Sequence, residues 1–141
     1  MIRTISIPYY TSSMDLHVEE KNLKTVITAK TEDYVPEKSP KELIEDALEH
    51  PIGTPKLSEL AKGKNKVVLV TSDHTRAVPS RLTLPILLKE IRKGNPDADI
   101  IILIATGLHR ETTEEEQRRM FGDDIVDHEK ISVNHAFQNE E

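Results

Sequence analysis

The sequence predicts an α/β protein with a parallel, three-layer, Rossmann-like core and extra strands at its N-terminus. The first observation is a pair of apolar β-type runs at 66–71 and 100–105, each followed by polar residues. The second is that helix start and stop signals separate these runs, so strand and helix alternate along the chain. Such alternation indicates parallel strands joined by right-handed crossovers. Because the second run opens with five consecutive isoleucine or leucine residues, we expect its strand to be buried on both faces.

Three candidate strands precede this core. Residues 2–7 alternate between apolar and polar side chains, which is the pattern of a half-buried strand. Residues 14–18 and 23–28 are candidate second and third strands, and together the three would form a small antiparallel or mixed sheet. The proline and charged residues of 31–38 indicate a connector to the first helix.

Capping residues mark the start of the first helix. Ser39 occupies the N-cap position, Pro40 follows at the first helical position, and Glu42 lies three residues after the cap. This is the capping-box pattern, and we expect the helix to run to about Glu49. Residues 57–60 are expected to add one short helical turn.

The remaining elements follow the first apolar run. A helix is predicted over 79–93, and Pro85 inside it predicts a separate or kinked first turn. After the second apolar run, Thr113 is placed to cap another helix, which ends near Gly122. Residues 130–133 are expected to form the third short strand of the parallel sheet.

Composition restricts the class of protein. The chain has 141 residues, a formal net charge of -6 and no cysteine. This length suits a single domain over 1–141, and the acidic balance without a basic run argues against nucleic acid as a partner. No apolar stretch approaches the roughly 20 residues that a membrane helix needs, so no membrane partner is expected. We therefore expect a cytoplasmic protein, and the sequence does not specify its oligomeric state.

Polar clusters follow both apolar runs, at 72–81 and 106–110. Open α/β sheets bind ligands outside the carboxyl ends of their strands, so the two clusters predict one half of an active site. His109 can act as a general acid or base near neutral pH. Arg76 and Arg110 can each bind a carboxylate or phosphate through two hydrogen bonds. The pattern predicts anion binding combined with proton transfer.

Other interpretations of the same residues stay open. Asp73 could orient an imidazole, or it could only cap a turn. His74 could point away from the site, because side chains alternate along a strand. The acidic residues 114–116 are expected to be a solvated helix start. A zinc site could combine Asp73 with the histidines His74, His109 and His135, although their spacing fits no tight metal motif.

Three segments together resemble the N-terminal domain of the nickel-pincer lactate racemase family. They are 72–80 (SDHTRAVPS), 105–113 (ATGLHRETT) and 134–135 (NH). The resemblance covers most of the chain from about residue 66 onward. Either of the first two motifs alone would be weak, but the pair in this order and spacing is specific.

The resemblance implies an isomerase that interconverts D- and L-2-hydroxy acids such as lactate. Family members carry nickel in a pyridinium bisthiocarboxylate mononucleotide, the nickel-pincer nucleotide, which accepts a hydride from the substrate. By this resemblance His109 matches the first of two catalytic histidines. The matching cofactor-binding loop consists of Asp73, His74, Thr75 and Arg76. Arg76 would also bind the substrate carboxylate.

The resemblance also has limits within this chain. An acidic residue is expected after His135, where this chain has Ala136. The family's second catalytic histidine, its cofactor-linked lysine and its nickel-binding histidine come later in the chain. We therefore expect the 141 residues to be the N-terminal part of a two-domain enzyme, an inactive half-site that retains no cofactor. Two alternatives are a non-catalytic anion- or nucleotide-binding module, in which Thr75, Arg76 and Arg110 bind phosphate, and a zinc-dependent hydrolase.

Overall fold

The chain is seen in a computed structural model that describes residues 1–136, apart from the side chain of Glu32. Contacts within the chain divide it into two compact units, Met1–Glu37 and Lys38–Glu141. Each unit is described by itself below. A single domain over 1–141 stays a prediction.

The first unit is built on an antiparallel hairpin. Strand β1 (Ile2–Tyr9) pairs with β2 (Ser12–Glu19), as the alternating pattern predicted. The expected half-burial is wrong, because Ile5 alone in β1 is half-buried and its other residues are exposed. Two short 3-10 helices follow, at Glu20–Asn22 and Lys30–Asp33. The third strand predicted at 23–28 is wrong, because residues 23–29 form neither helix nor strand. Its apolar residues lack the period of two that would place them on one face of a sheet.

The second unit is an α/β arrangement around a parallel sheet, which confirms the predicted fold class. Its strands β3, β4 and β5 lie side by side in that order, and both pairings are parallel. What is confirmed is the α/β class with a parallel sheet; the three-layer arrangement stays a prediction, because the described helices cover one face. The elements in chain order are α1 (Pro40–Glu49), α2 (Leu57–Ala61), β3 (Lys66–Ser72), α3 (Ser80–Gly94), β4 (Asp99–Ala105), α4 (Glu114–Phe121), α5 (Asp123–His128) and β5 (Lys130–Val133).

Local signals explain most of the helix ends. The side chain of Ser39 accepts a hydrogen bond from the Glu42 backbone, and the Glu42 side chain accepts one from the Ser39 backbone. A second capping box with the same pattern opens α4. Helix α3 continues through Pro85, so the separate first turn is wrong; the exposed ring forgoes only one backbone hydrogen bond. Among residues 1–136, no helix is both long and apolar enough to cross a membrane.

The core lies against one face of the sheet. It combines alternate residues of β4 with apolar side chains from four helices: Ala61, Leu84, Leu88, Ile91, Ile100, Ile102, Ile104, Phe121 and Ile125. The strand order and the right-handed rule for crossovers explain this, because both connections then pass over the same face. Sequence reasoning missed α5, which begins directly after Gly122, a residue with a φ of 94°.

The opposite face of the sheet is much more open. Val68 and Val70 of β3 are 48% and 67% exposed. Ile101 and Leu103 of β4 are only half-buried. The expected burial of β4 on both faces is therefore met only on the side that the helices cover.

Helices α2 and α3 approach each other at Gly94. A Cβ atom at this position would lie 1.8 Å from the carbonyl oxygen of Ser58, far inside any allowed contact. The carbonyl belongs to the backbone of α2 and cannot rotate away. Glycine at 94 is thus required by packing rather than by its backbone angles.

Candidate active site

The two predicted clusters meet at the carboxyl ends of β3 and β4. Ser72 pairs with Ala105 at the last position of both strands, so the following loops begin side by side. Asp73 and Thr106 are the first residues of these loops, and both are buried. Parallel register thereby brings together segments that are distant in the sequence.

The centre of this arrangement is a hydrogen bond between His109 and Asp73. Nδ1 of His109 lies 2.5 Å from Oδ2 of Asp73. The Asp73 side chain is only 2% exposed, whereas that of His109 is 48% exposed. Because an ionised carboxylate can only accept, Nδ1 carries the proton in the neutral imidazole, and that tautomer leaves a free lone pair on Nε2.

Thr75 supports the same carboxylate from its other side. Its backbone N–H and its hydroxyl donate to Oδ1 of Asp73 at 3.1 and 2.7 Å. The hydroxyl bond is the largest cause that lowers the pKa of Asp73, from 3.8 to about 2, with His109 adding to it against the opposing effect of burial. Asp73 is therefore ionised at neutral pH, and both of its oxygens have partners.

The loop that carries His109 turns sharply after β4. Gly107 adopts a φ of 57°, a left-handed conformation that favours glycine. The backbone N–H of His109 donates to the carbonyl of Thr106 at 3.0 Å and closes this turn. The Thr106 hydroxyl donates to the carbonyl of Asn134 at 2.6 Å, so the end of β4 is tied to the segment after β5.

His74 is directed toward other partners. Its Nδ1 lies 3.2 Å from the hydroxyl of Thr112 and 3.8 Å from Oε2 of Glu116. The structure thus brings Asp73 and Thr75 to His109 but does not bring His74 there. The alternative in which His74 points away from the pair agrees with this geometry.

The two arginines of the clusters differ in whether the guanidinium is free to bind a ligand. Arg76 is exposed, and no hydrogen bond or ion pair joins its guanidinium to another residue within 1–136. Arg110 instead donates to both carboxylate oxygens of Glu116, at 2.9 and 2.7 Å. With Thr75 engaged by Asp73 and Arg110 engaged by Glu116, two of the three groups assigned to a phosphate-binding module are already occupied.

An open cleft of about 220 Å³ lies next to His109. It is also lined by Asn134, His135 and Ala136 from the segment after β5 and by Glu111 from the loop after β4. Nδ1 of His135 lies 3.1 Å from Oε1 of Glu111. Where the resemblance implies an acidic residue after His135, this chain has Ala136, and Glu111 supplies a carboxylate to His135 from the neighbouring loop.

The histidines do not converge on a common point that would suit zinc. His74 is directed to Thr112, His109 to Asp73 and His135 to Glu111. Within residues 1–136, no group of three or more histidines and carboxylates is arranged to hold a metal ion. This geometry argues against the zinc-dependent hydrolase.

Sequence reasoning missed one residue near the site. Glu116 was expected to be solvated with the other acidic residues of α4, but its side chain is 14% exposed and paired with Arg110. The signal that singles it out is its place in the capping box, three residues after Thr113. Glu114 and Glu115 do not share that place.

The fold and site define an α/β protein in which a buried carboxylate orients an exposed histidine at the ends of parallel strands. The chain belongs to the lactate racemase N-terminal domain family, whose model matches residues 9–141. The motif resemblance is thereby confirmed for the family. Lactate racemase from Thermoanaerobacterium thermosaccharolyticum is 45% identical over 137 residues, which are 97% of this chain. Lactate racemase from Lactiplantibacillus plantarum is 42% identical over 127 residues, or 90% of this chain.

A solved structure of a lactate racemase is also similar to this chain. The lactate racemase apoprotein from T. thermosaccharolyticum aligns with 94% of this chain at a TM-score of 0.78 and 44% sequence identity. The matched region is 30% of that protein's chain. In the two curated relatives it is 32% and 30% of the length, so this chain spans about a third of each.

Proposed function

We propose that this chain forms the N-terminal part of a racemase that interconverts D- and L-2-hydroxy acids. The observation that carries the proposal is the hydrogen bond from Nδ1 of His109 to the buried carboxylate of Asp73. Relatives named lactate racemase support the substrate class. Racemisation of a 2-hydroxy acid by way of its 2-keto acid needs a group that takes and returns the hydroxyl proton, and an oriented histidine suits that role.

His109 acts as the proton-transfer group in this proposal. Its Nδ1–H donates to Asp73, so Nε2 is free to accept the proton of the substrate hydroxyl. As that proton leaves, the α-carbon would pass its hydrogen as a hydride to a bound acceptor that the described residues do not themselves supply, and a planar 2-keto acid would remain. Return of the hydride and the proton to the carbonyl gives either enantiomer. A well-placed general base contributes about 10²–10⁴-fold to such a rate.

Arg76 binds the substrate carboxylate in this proposal. Its guanidinium is exposed on the same loop as Asp73, three residues beyond it. The Arg76 backbone N–H donates to the Asp73 carbonyl at 3.2 Å, which fixes the turn that carries it. A guanidinium can hold a carboxylate through two parallel hydrogen bonds and so orient the α-carbon.

The resemblance assigns the hydride acceptor to a nickel-pincer nucleotide, which supplies an electrophilic site for the departing hydride when bound. The described residues do not fit a nickel site, since both Asp73 oxygens are occupied and His74 is engaged by Thr112. In our proposal, residues of this chain therefore act on the substrate and on the organic part of the nucleotide. Of the four predicted cofactor-binding residues, Arg76 has the side chain most open to a phosphate or carboxylate.

The test is an assay of the whole protein that contains this chain, loaded with the nucleotide. Chiral chromatography should show interconversion of D- and L-lactate. His109→Ala should lower kcat by about 100-fold or more, while the nucleotide, followed by its absorbance, stays bound to the protein. His128→Ala, an exposed histidine on α5, is the matched control and should retain activity. Near-normal turnover by His109→Ala would overturn the proposal.

A further inference from the structure

We propose that Glu116 is a positioning residue that holds His109 against Asp73 by fixing the loop after β4. The inference rests on the proposed function only for the role of His109; the contacts that carry it are independent of any reaction. Glu116 lies on α4, and within residues 1–136 no hydrogen bond or ion pair joins it to Asp73 or His109. Its effect passes through the residues beside them.

The first contact is with Arg110, the residue directly after His109. Nη1 and Nη2 of Arg110 donate to Oε2 and Oε1 of Glu116 at 2.9 and 2.7 Å. Arg110 Nη1 also donates to the carbonyl of Glu111 at 2.8 Å. This two-pronged pairing has a fixed geometry, so it restrains the backbone next to the imidazole.

The second contact closes the other end of the loop. The Thr113 backbone N–H donates to Oε2 of Glu116 at 2.9 Å, and the Glu116 backbone N–H donates to the Thr113 hydroxyl at 3.3 Å. One carboxylate therefore joins residues 110 and 113 to the first turn of α4. The bond from Arg110, followed by that from Thr113, holds the pKa of Glu116 well below its usual range, so the carboxylate is ionised at neutral pH.

A third contact links Glu116 to the strand end that carries Asp73. Oε2 of Glu116 lies 3.8 Å from Nδ1 of His74, the residue directly after Asp73. The neighbours of both members of the Asp73–His109 pair thus lie against one side chain.

At Gly107 the turn is closed by the hydrogen bond from the His109 N–H to the Thr106 carbonyl. A Cβ atom built at Gly107 would meet nothing within 4 Å, so no packing contact adds to that single bond at this point. We infer that Glu116 supplies the additional restraint.

The experiment measures the imidazole directly in the 141-residue chain by NMR. We compare wild type, Glu116→Ala, Glu116→Gln and the matched control Glu115→Ala, an exposed neighbour in the same helical turn. In Glu116→Ala we expect loss of the Nδ1–H resonance of His109 and about tenfold faster exchange of its backbone amide, because charge-assisted hydrogen bonds are removed. Glu116→Gln keeps an acceptor and should recover part of both signals, whereas Glu115→Ala should match wild type.

The proposal is overturned if Glu116→Ala stays folded by circular dichroism and keeps both His109 signals at wild-type values. If that variant does not fold, Arg110→Ala cuts the same link and leaves the capping box in place. It should also lose the Nδ1–H resonance, and an unchanged resonance would overturn the proposal. These NMR signals do not depend on catalytic turnover. The positioning role of Glu116 can therefore be disproved while the proposed racemase activity stands, and the racemase activity can be disproved while the positioning role stands.

Discussion

Nδ1 of His109 and Oδ2 of Asp73 lie 2.5 Å apart, although the two residues are 36 positions apart in the chain. Parallel pairing of β3 with β4 places them at the same edge of the sheet. The carboxylate is buried and the imidazole is half exposed. This asymmetry lets the buried partner fix the orientation of a ring that substrate can reach.

Replacing Asp73 by Asn should disable this orientation with little change in shape. The amide nitrogen would donate toward Nδ1, which favours the tautomer that protonates Nε2 and removes the base. We expect kcat of the whole, cofactor-loaded protein to fall by roughly 100-fold or more. Asp97→Asn, at an exposed position on the turn before β4, is the control. Equal activity of the two variants would contradict the tautomer argument.

The stability of the chain should depend on pH through Asp73. Its pKa is lowered from 3.8 to about 2 in the folded chain, so the unfolded state binds more protons between these values. The stabilisation is fully present above about pH 4 and is lost as the pH falls through about 2. It amounts to roughly 2 kcal/mol. Urea denaturation from pH 5 to pH 2 should show the difference between wild type and Asp73→Asn shrinking across this window.

Gly94→Ala should destabilise the chain, which is the opposite of the usual effect of alanine within a helix. The new Cβ would meet the Ser58 carbonyl, and α2 and α3 would have to separate. We expect a loss of about 1–3 kcal/mol in the free energy of unfolding. Lys89→Ala, at an exposed position on α3, should change it by less than about 0.5 kcal/mol. A stabilised Gly94→Ala variant would show that the two helices are not in close contact.

Shortening a side chain to alanine should lower the free energy of unfolding by different amounts on the two faces of the sheet. Ile102 is 0% exposed on the side under the helices, whereas Val70 is 67% exposed on the other side. Ile102→Ala should cost about 2–5 kcal/mol because it leaves a cavity. Val70→Ala should cost less than about 1 kcal/mol, since the side chain already contacts solvent. Chemical denaturation of both variants measures the contrast, and similar losses would argue that both faces are covered in solution.

Features encoded in short segments were predictable. The capping box at Ser39 and the N-cap at Thr113 appear where the residue types predicted them. The strands that end before Asp73 and Thr106 also follow from continuous apolar runs. From the sequence, an imidazole partner for Asp73 was one of several alternatives, because a sequence does not show which way a loop side chain points.

Features that depend on distant contacts were not predictable. The direction of His74 depends on Thr112, which is 38 positions away. The burial of Glu116 depends on Arg110 folding back across the loop. In each case the deciding energy comes from a partner that local patterning does not specify.

Strand β3 lies at one end of the three-stranded sheet formed within residues 1–136. Its outer edge presents backbone donors and acceptors, and its open face presents Val68 and Val70 to water. An unpaired edge with β-branched side chains is a template for strand addition. We therefore expect β3 to promote self-association of the 141-residue polypeptide, and light scattering that rises with concentration should fall when Val70 is replaced by lysine.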